Sequence, residues 1–446
     1  MTRTPSATFE AWLEVLRPAM RRPTFERMLL LARGFVLTAG QHTVAAALLA
    51  GDIAARRIHH EAFHRFFSKR AWSPDELGKL LLTRLVALLS SDRLTVAIDD
   101  TLARKKGPKI FAIGAHLDAV RSTRRHRIFS FGHVWVVLAV LVRVPLSPRP
   151  WALPVLFRLY RNESECARRG DAYRKKTELA REMLDLLVSW VPTLPVRVVA
   201  DVAYSNATLQ RGHDARIVFV GAMRPDAVLT ALPTAEQRKK TGRRRVKGDV
   251  LQKPERFAAD GRRPWREIQA HVYGALRKVA VKSMRAQWYI ACGEGLLNVV
   301  MVRVDHGRVP LRVFFSTDPT MSERDVLETY AGRWSIEVTF RNLKQHLGFS
   351  DSPARLRRAV ERTAPFVGLL YTSLVVWFVE RASEQQVALL PERSWYTHKT
   401  SLAFEDALRL ARHDFSTGVS DLLCRYENLA KLRRPSISPS RIARRP

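Results

Sequence analysis

The sequence predicts an α/β protein in which a mixed sheet carries helices on its faces, with a β-rich insertion and an all-helical segment in front. Three observations lead there. Residues 1–90 show the 3.6-residue period in "FERMLLLARGFVLTAG" and "ELGKLLLTRLVALLSS". From about residue 93, short apolar runs alternate with an amphipathic stretch. Past residue 223 a polar, basic stretch gives way to strand-like runs separated by Gly and Asp.

Taken in order, the first helices flank "TVAAALLAGDIAARRIHHEAFHRFFSKRAW". This stretch reads as short helices around a Gly51 turn, either a helix-turn-helix or a plain bundle. "RLTVAID", "FSFGHVWVVLAVLV" and "WALPVLFRLY" read as three strands, followed by the amphipathic helix "RKKTELAREMLDLLVSWV". "PVRVVAD" is a fourth strand, "SNATLQRG" a short helix capped by Ser205, and "ARIVFVGAM" a fifth strand. "EIQAHVYGAL", "RKVAVKSMRAQWYIAC", "GLLNVVMVRVDHG" and "VPLRVFFSTD" predict the antiparallel insertion. Ser322 with Asp325 marks the start of a helix, and a second long helix follows Pro353. The Pro/Ser-rich basic tail "KLRRPSISPSRIARRP" has the composition of a disordered segment. The expected division is 1–90 (helical, DNA-binding), 91–222 (core, first part), 223–318 (insertion), 319–385 (core, second part) and 386–446 (helical segment and tail).

Charge narrows the function. The chain has 75 Lys and Arg against 42 Asp and Glu, a net charge of +33. Such self-repulsion calls for a polyanionic partner, and nucleic acid is the first candidate. The cations are spread along the chain rather than gathered as a membrane-binding cluster would be, so no membrane partner is expected. Cys166, Cys292 and Cys424 are isolated, so there is no zinc pattern, and the usage fits a reducing, cytoplasmic setting. "FGHVWVVLAVLVRVPL" reads as a buried strand and "PFVGLLYTSLVVWFVERAS" as a core helix rather than membrane spans.

Two apolar strands end in carboxylates, "VAIDDT" (Asp99, Asp100) and "VVADVAY" (Asp201). Strand carboxyl ends are where ligands bind in α/β folds, although Asp also caps turns. The strand and helix order fits a ribonuclease-H-like core, in which such aspartates meet and a later helix adds a third carboxylate. Hard Mg²⁺ takes oxygen ligands, and two ions about 3.5–4 Å apart clamp the attacking and leaving oxygens of an in-line displacement. Glu337 is the candidate third ligand. It lies in "ETYAGRWSIEVTFRNLKQHLGFS", which reads as one helix with Tyr330, Arg333, Glu337 and Lys344 on one stripe.

Tyr330, Arg333, Glu337 and Lys344 at this spacing resemble the Y-R-E-K signature of bacterial insertion-sequence transposases of the DDE class. "DDT" and "ADVAY" resemble the regions of their first two catalytic aspartates, and the 136 residues between Asp201 and Glu337 (337−201) leave room for an insertion. The resemblance covers roughly residues 93–380. It implies a DNA transposase whose Asp99, Asp201 and Glu337 bind two Mg²⁺ ions, with Mn²⁺ as a substitute. Asp100 is the alternate to Asp99. The enzyme would cut double-stranded DNA at the element's ends and join the 3′-OH ends to target DNA, as a homodimer in a synaptic complex. Arg333, Lys344, Tyr330, Arg341 and Trp334 would touch the transposon end. Lys105 and Lys106 in "ARKKGPK", and Arg243, Arg244 and Arg245 in "EQRKKTGRRRVKGD", are phosphate-contact candidates, with solvated charge as the other reading. Trp288 is a candidate for base stacking, with a core role as the alternative. A non-catalytic DNA-binding descendant and a ribonuclease-H-like nuclease are the rival functions.

Overall fold

A computed structural model describes residues 8–53, 58–89, 92–123, 125–237, 244–303, 311–385 and 399–417. The chain begins with helices α1 (Phe9–Trp12), α2 (Arg22–Leu37), α3 (Val44–Ala50), α4 (Glu61–Ser68) and α5 (Pro74–Leu88), with a 3-10 helix at Leu13–Ala19. Their starts follow local chemistry. The Thr43 hydroxyl accepts from the Ala46 amide, and Ser73 caps α5 just before Pro74 in its first turn.

The sheet begins with β1 (Leu94–Arg104), β2 (Gly114–Leu117), β3 (Phe129–Val142) and β4 (Trp151–Tyr160). Helices α6 (Glu163–Arg169) and α7 (Lys176–Trp190) follow, then β5 (Val196–Ala200), α8 (Ala207–Gln210) and β6 (Ile217–Met223). Next come α9 (Pro254–Ala259), β7 (Arg266–Val272), β8 (Ala275–Gln287), α10 (Tyr289–Cys292), β9 (Leu296–Arg303) and β10 (Arg312–Ser316). The chain then runs through α11 (Glu323–Gly332), α12 (Trp334–His346), α13 (Arg357–Gln385) and α14 (Phe404–Thr417).

Ten strands form one sheet in the order β2-β3-β1-β5-β6-β10-β9-β8-β7, with β4 paired to β3. β1 is antiparallel to β3 and parallel to β5, and β5 is parallel to β6. This large mixed sheet, with β4-β3-β1-β5-β6 forming one half of it, fits a ribonuclease-H-like DDE fold. β3 is apolar along most of its length because both of its faces are covered, which removes the usual in/out alternation.

Four local expectations need correction. "EIQAHVYGAL" is not one strand. It turns at Tyr273 and Gly274, both at positive φ (55° and 85°), as a two-residue hairpin between antiparallel strands requires. "WYIAC" ends the next strand as the short α10 rather than extending it. β1 does not end at its carboxylates but runs on to Arg104, so Asp99 and Asp100 lie in mid-strand. The cap of α8 is Asn206, whose side chain accepts from the Thr208 amide, while the Ser205 hydroxyl donates to the Asp201 carbonyl.

α13 is long and apolar enough to cross a membrane by length and composition, but 83% of its apolar window is buried within the protein. It packs on β4, α4 and α5. The approach is close enough that a Cβ on Gly368 would sit 2.1 Å from the Phe157 ring. The N-terminal helices, the sheet, α13 and α14 share one hydrophobic cluster, and a second cluster joins β7–β9 to α11.

Candidate active site

β1 places Asp99 and Asp100 side by side, and the strand's pleat sends them to opposite faces of the sheet. Asp99 faces α12. Its Oδ2 accepts from Arg333 Nη1 at 2.9 Å, and Arg333 Nη2 donates to Glu337 Oε1 at 2.8 Å. One guanidinium therefore joins the first strand's carboxylate to the carboxylate of a helix more than two hundred residues later. Asp100 faces α7, where it accepts from Lys176 Nζ at 2.7 Å and from the Tyr204 hydroxyl at 2.9 Å.

Asp201 follows β5, the parallel neighbour of β1. Its Oδ1 accepts from the Ala203 amide at 2.9 Å and so caps the 3-10 turn Val202–Tyr204. Burial pushes the Asp99 carboxyl up to about 7, the charges of Asp201 and Asp100 add to the rise, and Arg333 opposes it. Burial also raises the Tyr204 hydroxyl, helped by the Asp100 charge.

The stretch around Glu337 is two helices rather than one. α11 ends at Gly332 and α12 begins at Trp334, with Arg333 at the joint in right-handed helical geometry. The stripe survives the joint. The Arg333 guanidinium lies 5.7 Å from the Tyr330 ring centre, and that ring packs on Phe314. About two turns beyond Glu337, Lys344 Nζ donates to the Thr101 hydroxyl at 2.7 Å, and burial lowers its ammonium to about 8. β1 and α12 thus meet at two rungs, Asp99–Arg333–Glu337 and Thr101–Lys344.

The other candidates fall elsewhere. Trp334 is 45% exposed and meets Tyr273 edge-on, so the β7–β8 turn brings a second exposed aromatic beside α12. Arg341 is exposed on α12. Lys105 is turned inward, where its ammonium donates to the carbonyls of Ser350 (2.8 Å) and Ser352 (2.6 Å) and burial lowers it to about 8. Lys106 is exposed. Arg244 pairs with Glu294 at 3.4 Å and Arg245 with Asp249 at 3.4 Å, both at the surface, while Arg243 lies outside the described residues. Trp288 is half-buried against the core, edge-on to Phe315. Sequence reasoning missed Lys176 and Tyr273. Lys176 lies in a run of cations with nothing to single it out, whereas the Tyr273-Gly274 pair carried a turn signal that was read as strand.

The donor set of Asp99, Asp201 and Glu337 is oxygen alone, which suits a hard divalent cation. Asp99 is also costly to ionise without a cation beside it. Among the described residues, no three carboxylate, histidine or cysteine side chains stand together closely enough to hold an ion as they lie. The cause is local, since Arg333 occupies Asp99 and Glu337 while Asp201 serves its own turn.

Residues 15–287 match the family described as DDE superfamily endonuclease, and the chain belongs to that family. Residues 270–383 match a second family, described as archaeal putative transposase ISC1217. The first match contains Asp99, Asp100 and Asp201, and the second contains the whole Tyr330–Lys344 stripe. No protein of curated function matches the chain in sequence. The two matches support a transposase or endonuclease activity, with DNA as the substrate.

Proposed function

We propose that the chain is an insertion-sequence transposase of the Y-R-E-K group, which cuts the ends of its element and joins the 3′-OH ends to target DNA. The observation that carries this reading is the Arg333 guanidinium held between Asp99 and Glu337, because it ties the signature helix to the first strand's carboxylate. The same contact favours Asp99 over Asp100, whose carboxylate is already spent on Lys176 and Tyr204.

Asp99, Asp201 and Glu337 would hold two Mg²⁺ or Mn²⁺ ions. When bound, such a pair activates water and neutralises charge at the scissile phosphate. With Asp99 and Glu337 given to the ions, the Arg333 fork would be free for a phosphate of the DNA end, which its planar geometry suits. Lys344 and Tyr330 flank it on the same stripe, and Trp334 and Arg341 border the stripe. Water attacks the phosphorus at the element's end and the P–O3′ bond breaks, so that O3′ leaves and takes a proton as the element's 3′-OH; that hydroxyl then attacks a target phosphorus, forming a new P–O3′ bond as the target's own 3′-oxygen leaves. No serine or tyrosine nucleophile is needed. Lys106, Arg244 and Arg245 add sequence-independent phosphate contacts. In this reading residues 1–90 form the DNA-binding segment, residues 223–318 the insertion, and two copies act together on paired ends in the cytoplasm.

The test is a nicking assay on DNA carrying the element's terminal repeats. Nicks at the repeat ends in Mg²⁺ or Mn²⁺, absent in EDTA, are the expected result. Equal nicking in EDTA refutes the reading.

A further inference from the structure

The face of the sheet that carries Asp99 continues beyond the cover of α12. Directly opposed residues of antiparallel strands point to one face, and that face recurs at every second position. Asp99 opposes Val137, so Trp135, His133, Phe131 and Phe129 of β3 follow on its face. Trp135 and His133 are covered, but Phe131 and Phe129 are each 64% exposed. Across β2, Leu117 opposes Phe129 and is 49% exposed, and Val120 at the tip is 85% exposed. Four large apolar side chains thus stand in solvent on one hairpin.

The hairpin is firmly built. The Asp118 carboxylate is buried and takes two bonds from Arg104 of β1 (2.6 and 2.9 Å) and one from the Ser130 hydroxyl (2.8 Å). The Ser122 hydroxyl accepts from the Ile128 amide and closes the loop. Around the apolar strip, Arg121, Arg125 and Arg127 are exposed; the Arg121 amide donates to Asp118 Oδ1 at 3.3 Å, but among the described residues no carboxylate forms an ion pair with any of the three guanidinium groups. The hairpin's own acid, Asp118, is consumed internally.

Resting on the transposase reading above, we propose that the β2–β3 hairpin is a DNA-bending wedge. Its arginines grip phosphates on either side of a groove, and Phe129 and Phe131 press into the base stack between them. Cationic flanks around an apolar ridge match a duplex, in which phosphate rims enclose apolar base faces. The reach fits as well. The Lys105 amide bonds the Phe131 carbonyl, so Phe131 lies six strand residues beyond Asp99 and Phe129 eight. That is about 20 and 26 Å at ~3.3 Å per residue. Along a duplex it corresponds to roughly 6–8 base pairs at 3.4 Å each. The wedge therefore bends DNA about 6–8 base pairs from the phosphate being cut.

The test uses the full chain and a 30-base-pair duplex with a donor and an acceptor dye at its ends. Wild type should shorten the end-to-end distance. Phe129→Ala/Phe131→Ala should abolish the bend and weaken binding at least tenfold, with the salt slope kept. Arg125→Gln/Arg127→Gln should lower the slope of log K against log salt by about 2. All four positions are exposed, and unchanged circular dichroism and melting would confirm that the variants fold. Unchanged bend and affinity in the Phe variant overturns the wedge and leaves the transposase reading intact. A wild-type chain that binds no duplex overturns both. If the Phe variant binds and bends DNA normally but sediments as a smaller species than wild type, the patch joins two copies and the wedge is wrong.

Discussion

Arg333 should become more important to stability as pH rises. Among the described residues it is the one cation directly bonded to Asp99, a carboxyl that burial has already pushed up to about 7. An acid whose folded pKa exceeds its unfolded value binds more protons when folded, so stability falls as pH rises between the two. In wild type that loss ends near pH 7. Removing Arg333 takes away the interaction that favours ionisation, so the folded pKa rises further and the loss continues above pH 7. The worked difference for Arg333→Met is as follows. At pH 6 Asp99 is largely protonated in both proteins, and only the half-exposed Glu337 pair is lost, worth about 1 kcal/mol or less. Above pH 7 each unit adds up to about 1.4 kcal/mol. At pH 8.5 the deficit reaches about 3 kcal/mol, at the lower end of what breaking a buried pair costs. Urea unfolding in EDTA at the two pH values measures it. An equal deficit at pH 6 and 8.5 would mean that Arg333 does not sustain the Asp99 charge.

Four further outcomes follow from packing and exposure. A Cβ on Gly78 would stand 2.0 Å from the Val155 carbonyl oxygen, so Gly78→Ala should force α5 off β4 and cost about 1–3 kcal/mol in urea unfolding. Burial lowers His133 to about 4, so the folded protein keeps it neutral while the unfolded chain protonates near 6.5. Stability should fall by about 3 kcal/mol as pH drops through that window, and His133→Gln should remove that part of the slope. Lys105→Met should cost about 1–3 kcal/mol by unpairing the Ser350 and Ser352 carbonyls, yet leave the salt slope of DNA binding unchanged. Lys106→Met should do the reverse, with stability kept and the slope lowered by about 1.

Much of the site could be read from the sequence because its parts sit on strongly patterned elements. A buried run such as "VAID" fixes a strand, but not its end, since β1 runs on to Arg104 and leaves Asp99 and Asp100 in mid-strand. The helical stripe at Tyr330, Arg333 and Glu337 was legible from spacing alone, and the break at Arg333 did not scatter it because Arg333 keeps helical geometry. What the sequence did not show depends on tertiary neighbours. Whether Asp99 or Asp100 faces α12 follows from the pleat and from which helix covers which face. Lys105 lies in a run of cations, and only the path of residues 350–352 beneath it shows that its charge is turned inward. The exposed Phe129 and Phe131 sit at the start of an apolar run that otherwise predicts burial. The hairpin that lifts them clear is made by β2, a four-residue strand with no clear pattern of its own.

The measurement closest to the central claim compares three carboxyl-to-amide variants in the end-nicking assay with Mg²⁺. Asp99→Asn and Glu337→Gln should each abolish nicking while keeping duplex affinity. Asp100→Asn should retain nicking, with some loss of stability from the bonds to Lys176 and Tyr204. Nicking at wild-type rate by Glu337→Gln, or loss of nicking in a folded Asp100→Asn with Asp99→Asn still active, would contradict the assignment of Asp99 and Glu337 to the catalytic face.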